Sequence, residues 1–274
     1  MSERESDYTM KHSEEEAMRL ELQAIALSEI IDQEFDAMDI KSGMTILDAG
    51  CGTGAITRRF AQIVKPAHVT AVDFDPLFLE NAKAIATDEG VDNVSFESGD
   101  VDNLRYKDEM FDLTYCRLVL MHVQDPVKTV KELKRVTKKG GKVVISDQDD
   151  GGVLLNPFMP KMMEIWSRYG HWAKKQNMDR YIGRQLFSIL SQAGLKSIKI
   201  FLFPIHRTQE NSEQLRMFVS VPLQVVEGRK AELIEQRVFT QEEYEIALEE
   251  FEKLMNDSGA FVMNTFFLAI GEVP

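Results

Sequence analysis

Ile46-Leu47-Asp48-Ala49-Gly50-Cys51-Gly52-Thr53-Gly54 is the stretch whose reading decides the fold. Its first residues form an apolar run that passes straight into a glycine-rich turn, and beyond the turn Ile56, Phe60 and Ile63 recur at helical spacing. A strand that feeds a helix through glycines brings bare backbone close to a ligand, because no Cβ stands in the way and positive φ costs little. Outward from this point, Thr45–Ala49 is the first of several short apolar runs bounded by turn residues. Val69–Val72, Val94–Phe96, Phe111–Cys116 and Lys142–Ser146 follow, and all read as buried strands. Helical stretches separate them. Two open with Asp75-Pro76 and Asp125-Pro126, where the aspartate offers an N-cap acceptor and the proline suits the first helical position. Alternation throughout residues 44–147 predicts a parallel sheet with helices on both faces and a ligand outside the carboxyl ends of the strands, where the strand order reverses.

Two further acids stand at strand ends. Asp73 closes the Val69–Val72 run, 19 residues after Gly54, where a carboxylate accepts hydrogen bonds from ribose hydroxyls. Gly99-Asp100-Val101 comes 27 residues beyond Asp73, and an acid at that next strand end suits an adenine amino group. The glycines alone are a weak signal, since Gly50, Gly52 and Ala55 also satisfy the looser pattern of dinucleotide enzymes. A nicotinamide-dependent oxidoreductase would share that turn and Asp73 but has no use for Asp100.

Taken in order, these motifs resemble the S-adenosylmethionine-dependent methyltransferases of Rossmann-like type, in particular the methyltransferase-domain enzymes that modify quinones, sterols and other small molecules. The resemblance spans roughly residues 44–200. It runs through Leu47–Gly54, Val72-Asp73-Phe74-Asp75-Pro76 and Gly99-Asp100-Val101, then Phe111–Val123, Glu132–Val136 and Lys139-Gly140-Gly141-Lys142, where Lys139 replaces the usual proline. Leu186–Leu195 leads into a further apolar strand from Ser197 to Phe203. The resemblance implies a three-layer, doubly wound, mostly parallel seven-stranded sheet with helices on both faces. Its antiparallel last strand would be Phe261–Ala269. The resemblance also implies that Asp48, Ala49, Gly50, Cys51, Gly52 and Gly54 lie beside the methionine part of S-adenosyl-L-methionine, with Arg117 nearby. Asp73 would take the ribose hydroxyls, Phe74 would pack on the adenine, and Asp100 with the Val101 amide would read its edge. A catalytically silent S-adenosylmethionine-binding regulator would keep every one of these motifs.

Outside this core the chain adds helical material. Ser13 stands three residues before Glu16 in a capping box, and Ala17, Leu20, Ala24, Leu27 and Ile31 then predict one long amphipathic helix to Met38. The expected organisation is an N-terminal helical lid over residues 1–38, then a methyltransferase domain over 39–274 with helical insertions at about 156–182 and 209–256. Asn156-Pro157 is expected to cap a helix through Trp166 and Trp172, and residues 209–251 to hold two helices, the later one begun by Thr240 and Glu243. These additions are expected to hold the substrate, through Tyr8, Arg19, Trp166, Tyr181 and Arg184. Methyl transfer needs no dedicated base; if one acts, Tyr8, His122 and Asp147 are the candidates.

Composition sets the outer bounds. The chain has 274 residues, 44% hydrophobic and 28% charged, with a formal net charge of −13. It is thus long enough for one large domain or a domain with an appended subdomain. Such a negative surface repels phosphate backbones and anionic lipid, so no nucleic acid or membrane partner is expected; small molecules or basic proteins suit it better, and a small-molecule substrate is the expectation. Lys128, Lys131, Lys134, Arg135, Lys138 and Lys139 follow helical spacing and read as a solvated helix face and C-terminus. Cys51 and Cys116 make no disulfide framework and no metal cluster is evident, and the polar, acidic N-terminus has no signal-peptide pattern, so a cytoplasmic protein is expected. A monomer and a homodimer fit the sequence equally.

Overall fold

The computed structural model describes residues 14–274, and these divide into two compact units. The first contains the described residues up to Asp147, with Ile182–Phe203 and Phe267–Pro274; the second contains Gln148–Tyr181 and Pro204–Phe266.

The first unit opens with helices α1 (Glu14–Ala26) and α2 (Ser28–Met38). They replace the single helix expected from periodicity: the helix breaks at Leu27, although the amide of Leu27 still bonds to Gln23 and that of Ile31 to Leu27. Ser13, the expected cap, lies outside the described residues. On α2, Ile30, Ile31, Phe35 and Met38 form a buried stripe, and Phe35 meets Phe60 at 4.8 Å between ring centroids. Phe60 in turn stands edge-on to Tyr115 at 5.1 Å. The Lys142 ammonium donates to the Met38 carbonyl at 2.9 Å, satisfying one of the orphan acceptors at the C-terminus of α2.

Strands and helices then alternate as β1 (Ile46–Ala49), α3 (Ala55–Val64), β2 (Val69–Asp73), α4 (Pro76–Asp88), β3 (Val94–Ser98), β4 (Phe111–Arg117), α5 (Pro126–Val136) and β5 (Thr137–Gln148). Both Asp-Pro caps form: Asp75 accepts from the Leu77 amide at 2.9 Å and Asp125 from the Lys128 amide at 3.0 Å. β1 pairs in parallel with β2 on one side and β4 on the other, β2 with β3, and β4 with β5. The order β3-β2-β1-β4-β5 therefore reverses direction at β1, and the carboxyl ends of β1 and β4 flank the crevice where open α/β sheets take ligands.

The Lys139–Lys142 motif is a register shift in β5, not a turn outside it: Phe111 faces Thr137, yet Leu113 faces Lys142. The basic residues around it are paired. Arg135 binds Glu132, Asp108 and the carbonyls of Leu104 and Tyr106; Lys138 binds Asp112; Lys134 binds the carbonyls of Ala193 and Gly194.

Among the described residues there are eight strands where seven were expected, because the short β6 (Leu154–Asn156) adds one. Three residues are too few to show a period. β6 runs antiparallel to the start of β8 (Phe261–Glu272), and Asn156 spends its side-chain amide on the Gly259 carbonyl at 3.0 Å. Asn156 is thus a strand residue rather than the expected cap, and helix α6 begins later, at Pro160 (Pro160–Lys175), with Met159 at its N-cap. The reciprocal bonds of Gly140 to Val273 and Val273 to Gly141 join β5 to the end of β8. Helix α7 (Leu186–Gln192) and strand β7 (Lys196–Thr208), which pairs with β8, complete the order.

The second unit carries α6, α8 (Ser212–Glu227), α9 (Lys230–Glu235) and α10 (Gln241–Met255), three helices where two were expected after residue 209. Thr240 and Glu243 form the expected capping box on α10. The N-terminus of α6 is capped from α10, whose Glu250 carboxylate accepts the amides of Lys161 and Met162 at 3.0 and 2.9 Å. Met159 and Met162 are buried with Trp166, Tyr169 and Trp172 in the core of this unit. Among the described residues no helix is long and apolar enough to cross a membrane.

Candidate functional site

The site is built on the first unit at the carboxyl ends of β1, β2 and β4. β1 is buried along its length, and the chain leaves it through Gly50 at φ +79°, in the left-handed region that favours glycine. A Cβ there would sit 2.3 Å from the Val119 Cγ2 methyl, so Gly50 answers to close packing as well as conformation. The Gly50 and Cys51 amides both donate to the Val72 carbonyl, at 2.7 and 3.0 Å, which stitches the turn to β2. Gly54, at φ +75°, begins α3.

Asp73 locks that turn. Its Oδ2 accepts the Gly52 amide at 2.8 Å, its Oδ1 accepts the Asp75 amide at 3.0 Å, and its carbonyl accepts the Gly99 amide at 3.0 Å. One residue thereby connects the glycine turn, the entry to α4 and the end of β3. Phe74, next in the chain, is 45% exposed, an unusual state for a phenylalanine beside a buried aspartate. Asp100 closes a turn, accepting the Asp102 amide on Oδ1 at 2.9 Å, and Val101 is half-buried against the core.

Asp48 is buried on β1 and accepts from the Thr57 hydroxyl at 2.6 Å. Burial, with the nearby Asp73 charge, outweighs that hydrogen bond and the Arg117 cation and pushes its carboxyl up to about 7. Burial likewise pushes Asp73 up against the pull of its amide bonds, and the Cys51 thiol up with help from both aspartates, which keeps that thiol protonated and unreactive. The crevice is therefore a concentration of desolvated carboxylates, with the Arg117 guanidinium at the end of β4.

Arg117 brings in a residue that sequence reading missed. Its Nε donates to Glu34 Oε2 at 3.3 Å; the Tyr115 hydroxyl donates to the same oxygen at 2.9 Å and the Ser146 hydroxyl to Oε1 at 2.6 Å. The signal was present in α2: Glu34 stands inside the apolar stripe of Ile30, Ile31 and Met38, where a solvated glutamate does not belong. Thr57 and Arg58 were missed too. Arg58, on α3, donates to the Thr53 carbonyl at 2.9 Å and to Glu21 of α1 at 2.7 Å, while Leu20 of α1 lies 3.3 Å from where a Gly52 Cβ would stand.

The remaining candidates stand on several different elements. His122 is half-buried in a short 3-10 turn, Leu120–His122, after β4, and Asp147 is buried near the end of β5. Tyr8 lies outside the described residues. Arg19 is held bidentate by Glu16 on its own helix, at 2.7 and 2.6 Å. Arg184 is exposed before α7. Trp166 and Tyr181 belong to the second unit: Trp166 stacks on Tyr169 at 5.3 Å, and the Tyr181 hydroxyl lies 2.7 Å from where a Gly170 Cβ would stand.

Comparison with known proteins bears on the family and the fold. The ubiquinone/menaquinone biosynthesis C-methyltransferase UbiE of Bdellovibrio bacteriovorus is 39% identical over 105 residues, which cover 38% of this chain and 44% of that protein. The chain thus spans less than half the length of the curated relatives it matches first. Among solved structures, the YcgJ protein of Bacillus subtilis superposes with a TM-score of 0.58 at 15% identity, over 91% of this chain and 98% of that one. Phosphoethanolamine N-methyltransferase 2 of Haemonchus contortus, solved with S-adenosyl-L-methionine, gives 0.57 at 20% identity, over 90% of this chain and 53% of that one. At such identities the likeness is one of fold. A methyltransferase-domain family model matches residues 40–218, most of the chain and a range that contains β1 to β5. The chain belongs to that family, the S-adenosylmethionine-dependent methyltransferases of Rossmann-like fold.

Proposed function

We propose that the protein binds S-adenosyl-L-methionine in the first unit and catalyses transfer of its methyl group to an oxygen, nitrogen or carbon nucleophile of a small molecule. The observation that carries this reading is the Asp73 carboxylate, buried and aimed by backbone amides on both of its oxygens. A carboxylate oxygen accepts more than one hydrogen bond, so both retain capacity for a ribose diol. The chemistry of the other groups fits the same ligand. Asp48 and Asp73, both desolvated and raised, gain from a ligand that carries positive charge, as a sulfonium and an ammonium do. Exposed Phe74 offers an aromatic face beside Asp73 for a base to stack on.

When bound, the cofactor supplies an electrophilic methyl on sulfur. The protein's own contribution is to hold acceptor and donor in line and exclude water, which supplies most of the acceleration. His122 and Asp147 are the described groups near the strand ends suited to take a proton from the nucleophile. The names of the relatives, which include a ubiquinone/menaquinone biosynthesis C-methyltransferase and a demethylmenaquinone methyltransferase, support a small organic acceptor.

The test is calorimetry with S-adenosylhomocysteine, followed by methyl-labelled cofactor in a metabolite extract. Wild type should bind and label a small product. Asp73→Ala removes two charge-assisted acceptors, each of order ~1.5–3 kcal/mol, and should weaken the nucleoside ten-fold or more. Unchanged affinity in Asp73→Ala, or binding of a nicotinamide dinucleotide in place of S-adenosylhomocysteine, would sink the reading.

A further inference from the structure

A buried ion pair is a poor way to stabilise a fold, because taking both charges out of water costs about as much as their attraction returns. Where one is kept, a fixed charge at that place is a reason to keep it. Glu34 and Arg117 form such a pair: the Glu34 side chain is 0% exposed and that of Arg117 9%. The pair sits at one definite place. Tyr115 and Arg117 alternate along the last residues of β4, and Ser146 is the β5 residue in register with Arg117, so Glu34 gathers donors from two neighbouring strand ends. β4 is also the neighbour of β1, where Asp48 pairs with Tyr115, and Asp48 and Arg117 feel each other's charge. Burial alone would make the guanidinium easier to deprotonate, but Glu34, Tyr115 and Asp147 together offset this, so Arg117 is held cationic, and Glu34 fixes its Nε edge.

Glu34 itself lies on α2, before the residues that the family model covers. Nothing in the strand motifs requires it. We propose that Glu34 is a positioning residue, which fixes Arg117 at the carboxyl end of β4 to receive the α-carboxylate of the cofactor's amino-acid end. This rests on the reading that the first unit binds S-adenosyl-L-methionine. The amino-acid end carries both an ammonium and a carboxylate. Acidic Asp48 on β1 answers the first, and Arg117 on β4 answers the second. Two N–H donors in one plane match a carboxylate, which is why arginine and not lysine serves at such a place. Helix α2 is then a supporting wall of the cofactor site, acting through one side chain.

The experiment compares two nucleosides on the intact chain: S-adenosylhomocysteine, which has the amino-acid end, and 5′-methylthioadenosine, which lacks it. Glu34→Gln should weaken S-adenosylhomocysteine ten-fold or more while leaving 5′-methylthioadenosine within about two-fold. In a Glu34→Gln/Arg117→Gln double variant the loss should be no larger than in Arg117→Gln alone. Glu34→Asp, which keeps the charge but is one methylene short, carries the same comparison if Glu34→Gln does not fold. Equal loss of both nucleosides, or fully additive losses in the double variant, reduces Glu34 to a structural anchor and overturns the proposal. Wild-type protein that binds neither nucleoside overturns the cofactor reading itself, so the two failures are told apart.

Discussion

Asp48 and Asp73 in the first unit and Asp150 in the second are all buried carboxylates, and they are held differently. In the first, Asp48 is held by the Thr57 hydroxyl and Asp73 by backbone amides, donors that orient a negative charge without cancelling it. In the second, Asp150 is buried beside Arg180, which forms an ion pair with it and lies over the rings of Trp166 and Tyr169 at 4.7 and 5.8 Å. Burial raises the proton affinity of all three acids; at Asp150 the arginine is the chief opposing influence, whereas at Asp48 and Asp73 hydrogen bonds are. A carboxylate oriented but not neutralised is poised for a ligand. One neutralised by an arginine stacked on aromatic rings is part of a core. Asp48 and Asp73 are of the first kind and Asp150 of the second; Glu34, paired with Arg117 but held by two hydroxyls as well, stands apart from both.

The largest effect expected from this comparison comes from removing the cation in the second unit. Arg180→Met leaves Asp150 buried and unpaired, which costs about 3–5 kcal/mol. Both tryptophans of the chain, Trp166 and Trp172, stand on α6 in the core of the second unit, so tryptophan fluorescence follows the melting of that unit. The fluorescence midpoint should fall by many degrees, and Asp150→Asn in the same background should recover part of the loss. If Arg180→Met melts like wild type, the pair is not what keeps Asp150 buried, and the contrast between the units fails.

A somewhat smaller effect is expected from pH in the first unit. Folding raises the Asp48 carboxyl from its ordinary 3.8 to about 7. The folded chain therefore holds a proton that the unfolded chain releases over this range. The associated stability is full below about pH 4 and is lost as pH rises through about 7. At its upper bound the shift of about 3 units amounts to ~4 kcal/mol, and coupling to Asp73 and Arg117 divides it. Denaturant unfolding of the unliganded protein, followed by far-ultraviolet circular dichroism, should show stability declining between pH 5 and 8. Asp48→Asn, which carries no titrating group, should flatten the slope. A slope of opposite sign, or one unchanged in the variant, would mean that Asp48 is ionised throughout.

The same contrast explains how far the amino-acid sequence alone reveals the fold and the site. The glycine turn, Asp48, Asp73 and Asp100 are legible because each is defined by its neighbours in the chain: a strand end, a glycine, a turn. Glu34 is defined by Tyr115, Arg117 and Ser146, which lie 81, 83 and 112 residues away, so only its awkward place in an apolar stripe hints at it. In the second unit the spacing of Trp166, Tyr169 and Trp172 betrays a helix, but the arginines that cover their faces, Arg180 and Arg229, come from other segments. The break at Leu27, strand β6 and the third helix after residue 209 escape notice for a related reason. Each is a short local departure whose cause is tertiary, and propensity does not register it.

The smallest effect expected lies where local sequence does suffice. Thr240 and Glu243 cap α10 reciprocally: the Glu243 amide donates to the threonine hydroxyl at 3.1 Å, and the Thr240 amide donates to the glutamate at 2.8 Å. Thr240→Ala strips the hydroxyl acceptor and leaves the carboxylate half of the box, which Arg168 also holds at 2.8 Å. A cap of this kind contributes about 1 kcal/mol, and the retained half places this variant toward the low end of its range. The tryptophan-fluorescence midpoint should therefore drop by a few degrees, less than for Arg180→Met. Thr240→Ser, which keeps the hydroxyl, should melt close to wild type. Equal losses in the alanine and serine variants would show that the threonine methyl, and not its oxygen, is what the second unit uses.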